Sequence, residues 1–407
     1  MFLDKIKSYL RLGDQSQEIK AEYASPRNEY YAKVAERFGV VQTLLYVMLT
    51  IVVLVSLMFN SEWITYENFY YFFSDMGDYI TSSDTDVEDI MYTVDRNQSF
   101  ALYNDKIAVS GNSGVKLYTS SGRLIINDDK TIGNPRLEES DRYLLMCDIG
   151  GTEFRVYNMF TEVYSDHAQN TILAADVSDS GDIAILTKSD TSRSSVQLLN
   201  SKFKLRKIYN RYDYAVDVSL TDNGKTLAVL SYSFEDGEAV ANLCMISTDH
   251  DMPFFSTSIK GAFPLYCEYT SSGKLNVVCD DRIVSFDGSG RLIKELIYGE
   301  YSTAVLSDVN SDGAAVVSKN NDKFKLIVFD RNGNSVYNDY LSSSAESIRL
   351  YGNYVFVDGD TSIVRINLFN GSVKQASSYD FGAVMLIKSE NELFLCLPER
   401  VKYIKFD

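Results

Sequence analysis

Basic residues are missing from residues 60–95, where nine Asp and Glu stand without one Lys or Arg. The chain as a whole is short of histidine (two), tryptophan (one), cysteine (five) and proline (five) in 407 residues. Each shortage excludes something. Two His and five scattered Cys, with no CxxC, leave little for a metal centre or a thiol nucleophile. A net charge of −17 argues against nucleic acid, whose phosphates call for clustered Lys and Arg. The apolar share of 45% is too high for a disordered chain, and the length can bury a large core.

What is present begins with a run of 22 residues, 38–59, that contains no charge. That length crosses a hydrocarbon layer of about 30 Å as a helix. Residues 1–37 carry seven basic and six acidic side chains, so the Lys/Arg bias places the N-terminus in the cytoplasm and the remainder outside. No small-residue cleavage site follows the run, which therefore reads as an uncleaved signal anchor. Residues 2–12 hold a basic amphipathic pattern (Phe2, Leu3, Ile6, Tyr9, Leu10 beside Lys5, Lys7, Arg11) that suits an anionic inner leaflet or a packed partner. Past the run come Trp63, Tyr66, Phe69, Tyr70, Tyr71, Phe72, Phe73 and Tyr79. Aromatic rings with polar tips favour the headgroup level, so Trp63, Tyr66, Phe69, Tyr70 and Phe73 are the candidate membrane-interface residues. Packing on the base of the following domain is the other reading. Residues 81–89 read as an acidic tether.

From residue 90 onward short apolar runs alternate with turn residues. Runs beginning at Ile107, Tyr143, Ile183, Leu227, Leu275, Ala315, Tyr354 and Leu393 follow one another at a mean step near 41 residues. That is the period of a four-stranded propeller blade. Turn signatures repeat with them: Ser178-Asp179-Ser180-Gly181, Thr221-Asp222-Asn223-Gly224, Ser271-Ser272-Gly273 and Ser311-Asp312-Gly313 before the run. After it come Ser120-Ser121-Gly122-Arg123, Gly288-Ser289-Gly290-Arg291, Asn332-Gly333-Asn334 and Asn370-Gly371. The last unit has three clear strands, and the lone strand candidate 90–95 supplies its fourth. The predicted fold is an all-β, eight-bladed propeller with its termini sharing a blade; seven blades is the alternative if unit 100–133 or 135–166 is misread.

Strand order then sorts the loops. First-to-second and third-to-fourth turns share one face of the disc. Second-to-third turns and inter-blade loops share the other, which is expected to carry the longer loops 188–195, 232–241 and 318–323 and hence to bind partners. Arg193, Phe234, Glu235, Asp236 and Glu238 are the candidate partner-binding residues. His167 and His250 fall on opposite faces and share no site. The five Cys (Cys147, Cys244, Cys267, Cys279, Cys396) sit inside predicted strands and read as small buried apolar residues; Cys267 should face the neighbourhood of Asn276, out of register with Cys279. Asp308-Val-Asn310-Ser-Asp312-Gly313 opens like a calcium loop, but Lys319 stands where a bidentate Glu is required, so a hairpin turn is expected. The Trp-free repeat region excludes the Trp-docked blades of quinoprotein dehydrogenases. WD and Kelch signatures and a GxSxG elbow are absent, and 220–227 keeps only the middle of a sialidase Asp-box.

A short tail, one span, Thr65-Tyr-Glu-Asn-Phe-Tyr-Tyr-Phe-Phe-Ser-Asp75 and a Trp-free propeller together resemble a family of uncharacterised single-span, membrane-anchored β-propeller proteins of Firmicute bacteria. The resemblance covers most of the chain and carries over no functional residue. The disc also resembles the outer-membrane assembly scaffold propeller of Gram-negative bacteria, in fold alone.

The expected organisation is a cytoplasmic tail with short helices (1–37), a transmembrane helix (38–59), an aromatic juxtamembrane helix with acidic tether (60–89) and an extracytoplasmic propeller (90–407). The expected function is non-catalytic: a single-pass, membrane-tethered scaffold or sensor, without cofactor, for an envelope protein or cell-wall ligand, in contact with the lipid bilayer and not with nucleic acid. An extracytoplasmic hydrolase or lyase using channel carboxylates is the alternative. A signal transducer reporting ligand occupancy to the tail is the third. The charge divides as +1 over residues 1–37, −9 over 38–95 and −9 over 96–407, so the propeller is only mildly acidic for its size.

Overall fold

Eight four-stranded antiparallel sheets follow one another along the chain. The computed structural model describes residues 42, 45–52, 89–93, 95–300, 302–341, 345–358, 362–377 and 384–406. Two units are distinguished, Met1–Asp86 and Val87–Asp407. In the first, residues 45–52 are helical and expose their apolar side chains, Leu45, Met48 and Leu49 each by more than 60%. The rest of the predicted span, apart from Gln42, lies outside the described residues. No helix among the described residues is long and apolar enough to cross a membrane.

In the second unit, blades 1 to 7 occupy residues 99–128, 135–167, 172–211, 214–260, 264–297, 303–340 and 348–377. Within each, the strands lie in sequence order from the channel outward, and first strands of successive blades contact one another around the ring. Blade 8 takes Val384–Ser389, Glu392–Cys396 and Arg400–Lys405, and Ile90–Met91 completes it as the outermost strand. The eight-bladed expectation and the shared terminal blade both hold, and the two weakest units are complete blades.

The repeated apolar runs are second strands, which are buried on both faces: Leu227, Ala228, Val229 and Leu230 are fully covered. Their side chains fill the gaps between blades, as where Leu186 and Leu198 of blade 3 meet Val218, Leu227 and Ile246 of blade 4. Outermost strands have only one covered face, so Pro253–Lys260 alternates half-buried and exposed positions. All five Cys are free and buried within these sheets. Cys267 pairs with Val277, one position from the expected Asn276, because the turn spans the five residues 270–274; a bulge at Leu265 then sets Cys279 opposite Pro264.

The turns on the first face share one hydrogen-bonding device. A Ser or Thr hydroxyl accepts the N–H four or five residues on: Arg123 N–H on Thr119, Asp182 on Ser178, Thr226 on Thr221 and Lys274 on Thr270. Asp287 and Asp330 serve the same role toward Arg291 and Asn334. Hydrogen bonds led by that from Ser289 hold the Asp287 carboxyl down at about 2. Gly313 departs from its predicted turn: it is the first residue of a strand, packed so closely on the Phe329 carbonyl that a Cβ would clash. The Asp308–Gly313 stretch is a hairpin turn in which the Asn310 amide oxygen accepts the N–H of Asp312 and of Gly313.

The terminal strand is short, so side chains reinforce the closure. Ile90 is 5% exposed and packs with Ile107, Phe394 and Val401. Arg400 bridges to Asp89 at 3.3 Å, and the Tyr92 hydroxyl donates to the Leu397 carbonyl. Burial pushes the Tyr92 hydroxyl well above its ordinary pKa, so it stays a donor. Replacing it, Tyr92→Phe, is expected to cost about 1–2 kcal/mol in urea denaturation, because a part-buried carbonyl loses its donor. No loss would show that the latch is carried by packing alone.

Candidate functional site: an aromatic hairpin and a carboxylate-lined channel

The face carrying second-to-third turns differs from expectation. Residues 232–241 are not a loop. They are the ends of two ten-residue strands, Thr226–Glu235 and Glu238–Ser247, joined by Asp236 and Gly237 alone. Both turn residues have positive φ, 52° and 88°, as a tight Asp-Gly hairpin requires. Residues 318–323 behave likewise, with Asn321 at φ 52° between Gly313–Asn320 and Lys323–Asp330. Local turn chemistry thus extended the strands where composition had read as loop. Only 189–193 is an open connection of the expected kind. His167 ends the outermost strand of blade 2 on this face, and His250 lies in a turn on the other.

The blade 4 hairpin gathers aromatic rings. Tyr214 and Tyr232 are cross-strand partners whose rings stack at 5.4 Å. Phe234 meets Tyr232 edge-on at 6.0 Å, and Phe263 packs on Tyr232 at 5.2 Å. Phe234 is 65% exposed because its cross-strand neighbour is the small Ala239. Tyr212, on the connection from blade 3, is 81% exposed. Arg193 reaches over from blade 3 and places its guanidinium 4.4 Å from the Tyr214 ring centroid. The connection is held in place: Arg211 donates twice to Asp213, at 3.0 and 2.6 Å, and the Ser231 hydroxyl donates to the same carboxylate at 2.6 Å. Glu235, Asp236 and Glu238 surround the tip, all exposed, with Lys260 3.2 Å from Glu235.

The sequence-predicted partner residues Arg193, Phe234, Glu235, Asp236 and Glu238 therefore converge on one hairpin and its neighbour. Trp63, Tyr66, Phe69, Tyr70 and Phe73 lie outside the described residues. Tyr212, Tyr214, Tyr232 and Phe263 were missed. Their signal was the i, i+2 spacing of Tyr212/Tyr214 and Tyr232/Phe234, hidden by reading the region as a loop.

The inner strands of blades 2 to 5 line a cavity of about 270 Å³ with carboxylates, and Asp308 of blade 6 continues the series. Glu138, Asp176, Glu268 and Asp308 occupy one repeated position, two residues before the turn-capping Ser140, Ser178, Thr270 and Asn310. That acid-x-[Ser/Thr/Asn] pattern was legible in the sequence and overlooked. Two of these acids tie blades together: Asp176 accepts the Leu220 N–H at 2.6 Å and Asp308 the Leu350 N–H at 2.6 Å. Blade 4 uses Ser219 there, accepting the Tyr269 N–H at 3.0 Å, while its Asp217 accepts the Cys267 N–H at 2.9 Å.

The longer glutamates do something else. Glu138 takes a charged bond from Arg136 at 2.6 Å. Glu268 lines the cavity, is exposed to it, and has no hydrogen-bond partner among the described residues. Burial pushes Glu138 up to about 8, Asp217 to about 7 and Asp308 to about 6, and lifts Glu268 well above its ordinary value. The Arg136 and Arg349 guanidiniums oppose part of this at Glu138 and Asp308. Burial in the channel thus favours the protonated form of these carboxylates. No group of three or more His, Cys, Asp or Glu among the described residues is placed to hold a metal ion.

Comparison with known proteins places the fold. A model for a family of unknown function matches residues 78–406. No curated protein matches the chain. Among solved structures, BamB from Moraxella catarrhalis aligns with TM-score 0.52 and 14% identity over 79% of this chain and 99% of that one. Sqt1 from Saccharomyces cerevisiae aligns with TM-score 0.58 and 9% identity over 80% and 100%. The dihydro-heme d1 dehydrogenase NirN, in complex with DHE, aligns with TM-score 0.52 and 14% identity over 71% and 67%. At these identities the likeness is one of fold.

Proposed function

The chain belongs to that family, DUF5711, and on the geometry of its propeller we propose that it is a membrane-tethered, extracytoplasmic binding scaffold for a protein partner. One observation carries the reading: the blade 4 hairpin extends an exposed aromatic cluster, Tyr212, Tyr214 and Phe234, from a rigid eight-bladed ring. Exposed aromatic rings held by a stiff scaffold are the side chains that anchor protein interfaces, because they bury much area for little lost rotamer freedom. The proposed tether is the charge-free run 38–59, supported by the lack of any basic residue in 60–95 and by the exposed apolar side chains of residues 45–52. The chemistry of the ring is taken as non-catalytic, since Asp176, Asp217 and Asp308 are occupied in joining blades.

A single labelling experiment tests location and role together. The five native Cys are buried, so Phe234→Cys presents one reactive thiol to a membrane-impermeant maleimide photo-crosslinker added to intact cells. Labelling from outside, followed by a discrete crosslinked protein absent for Phe254→Cys on the other face, is the expected result. A thiol labelled only after lysis would remove the extracytoplasmic placement. Efficient labelling with no protein adduct would remove the scaffold.

A further inference from the structure

We propose that the tip of the blade 4 hairpin docks an extended polypeptide segment that alternates Arg or Lys with apolar side chains. The inference rests on the scaffold reading and adds the chemistry of the partner. Three independent features point to it. The first is an open backbone edge. Blade 4's first strand pairs with the second only as far as Tyr214 and Tyr232. Residues 233–235 pair on one side with 238–240, and among the described residues no strand covers their other side. Unpaired N–H and C=O groups at a sheet edge accept an added strand.

The second feature is charge. Glu235, Asp236 and Glu238 lie within four residues of one another at the tip, and among the described residues Lys260 alone is bridged to them. A cationic segment laid along the open edge meets these carboxylates, and an acidic one is repelled. The third is a precedent inside the molecule. Arg193 already rests on Tyr214 at 4.4 Å, so the cluster accepts a guanidinium on a ring face. Phe234 and Tyr212 are the more exposed rings of the cluster, at 65% and 81%. An extended chain places alternate side chains on opposite faces, which lets basic groups reach the acids while apolar groups cover Phe234.

The test uses the full chain in detergent and a fluorescent synthetic peptide of alternating Arg and Leu, compared with one in which Glu replaces Arg. The Arg-Leu peptide is expected to bind, and the Glu-Leu peptide not to. Phe234→Ser combined with Tyr212→Ser should weaken binding at least about tenfold, as truncating interface anchors does. Glu235→Gln with Asp236→Asn and Glu238→Gln, which keeps the turn because Asn tolerates positive φ, should weaken it similarly and flatten its salt dependence. Phe254→Ser on the opposite face, and Glu138→Gln with Glu268→Gln in the channel, should leave binding unchanged. Loss of binding in the channel variant but not the hairpin variants would overturn the proposal, as would equal binding of both peptides. Binding of phosphatidylcholine vesicles in place of the peptide would also overturn it. A partner crosslinked in cells that survives the hairpin substitutions would sink this inference and leave the scaffold standing.

Discussion

Raising the pH from about 5 to 9 should destabilise the propeller, and Asp217→Asn together with Glu138→Gln should make that slope shallower, with Glu268 and Asp308 carrying the remainder. A carboxylate whose pKa is higher folded than unfolded binds more protons in the native state. Its contribution to stability is fully present below the unfolded value of about 4 and is lost as pH climbs through the folded value. The window ends near 6 for Asp308, 7 for Asp217 and 8 for Glu138. These side chains are part-exposed, and solvent screening applies to them, so the summed loss is expected to be a few kcal/mol rather than the full sum of the shifts. The Arg136 and Arg349 guanidiniums offset part of the negative charge that develops at Glu138 and Asp308. Asp287, held at about 2, has the opposite sign and acts only below about pH 4. Asn at 217 keeps an oxygen for the Cys267 N–H, so the inter-blade bond survives while the titration goes. The measurement is urea denaturation at stepped pH. A flat profile in the native chain would show that the channel acids ionise without cost.

Arg155→Leu is expected to cost about 3–5 kcal/mol, the usual penalty for removing one partner of a buried ionic group. Arg155 lies in the third strand of blade 2 with its side chain 2% exposed. It donates to Glu153 at 2.8 Å and to the Lys130 carbonyl at 3.3 Å, and its guanidinium lies 3.5 Å from Asp128. Asp128 also accepts the Tyr157 hydroxyl at 2.6 Å. Asp128 and Lys130 belong to the end of blade 1 and the connection that follows, so the network staples blades 1 and 2. Leucine matches the apolar stem but takes the bridging guanidinium from Glu153 and leaves Asp128, 12% exposed, with only the more distant Lys130 ammonium at 3.9 Å. Arg155→Lys should recover only part of the loss, because a point charge cannot serve Glu153, Asp128 and the Lys130 carbonyl together. Denaturation with an unchanged m-value would confirm a stability effect. A loss below about 1 kcal/mol would mean that water replaces the guanidinium.

Much of the architecture was legible from sequence because it depends on local periodicity. The runs starting at Ile107, Ile183 or Leu393 are continuous and apolar because second strands are covered on both faces, and that pattern survives without any knowledge of neighbours. The Ser/Thr-x-x-Gly turns were legible for the same reason: a hydroxyl and a positive φ are properties of four or five adjacent residues. The strand at Ile90 could be assigned to blade 8 because a three-stranded last unit leaves an edge that something must cover.

The hairpin and the channel were read less well. Tyr232-Ser-Phe-Glu-Asp-Gly-Glu looks like a loop by composition, and becomes strand only because Tyr214 on the neighbouring strand stacks on Tyr232 and Asp-Gly closes the turn. Glu138, Asp176, Glu268 and Asp308 share a legible acid-x-[Ser/Thr/Asn] pattern, but they stand 38, 92 and 40 residues apart, so their sharing of one channel appears only in the closed ring.

The chain by itself determined the eight repeats, the shared terminal blade, the burial of the five Cys and the asymmetry of charge around residues 38–59, since each follows from spacing, polarity or composition within one segment. Only the tertiary structure decided which residues act together. Ring closure brings distant carboxylates into one channel, where shared burial raises their affinity for protons. Blade packing sets Arg193 on Tyr214 and leaves Phe234 uncovered. Proximity across blades is a property of the closed ring, and no stretch of sequence contains it.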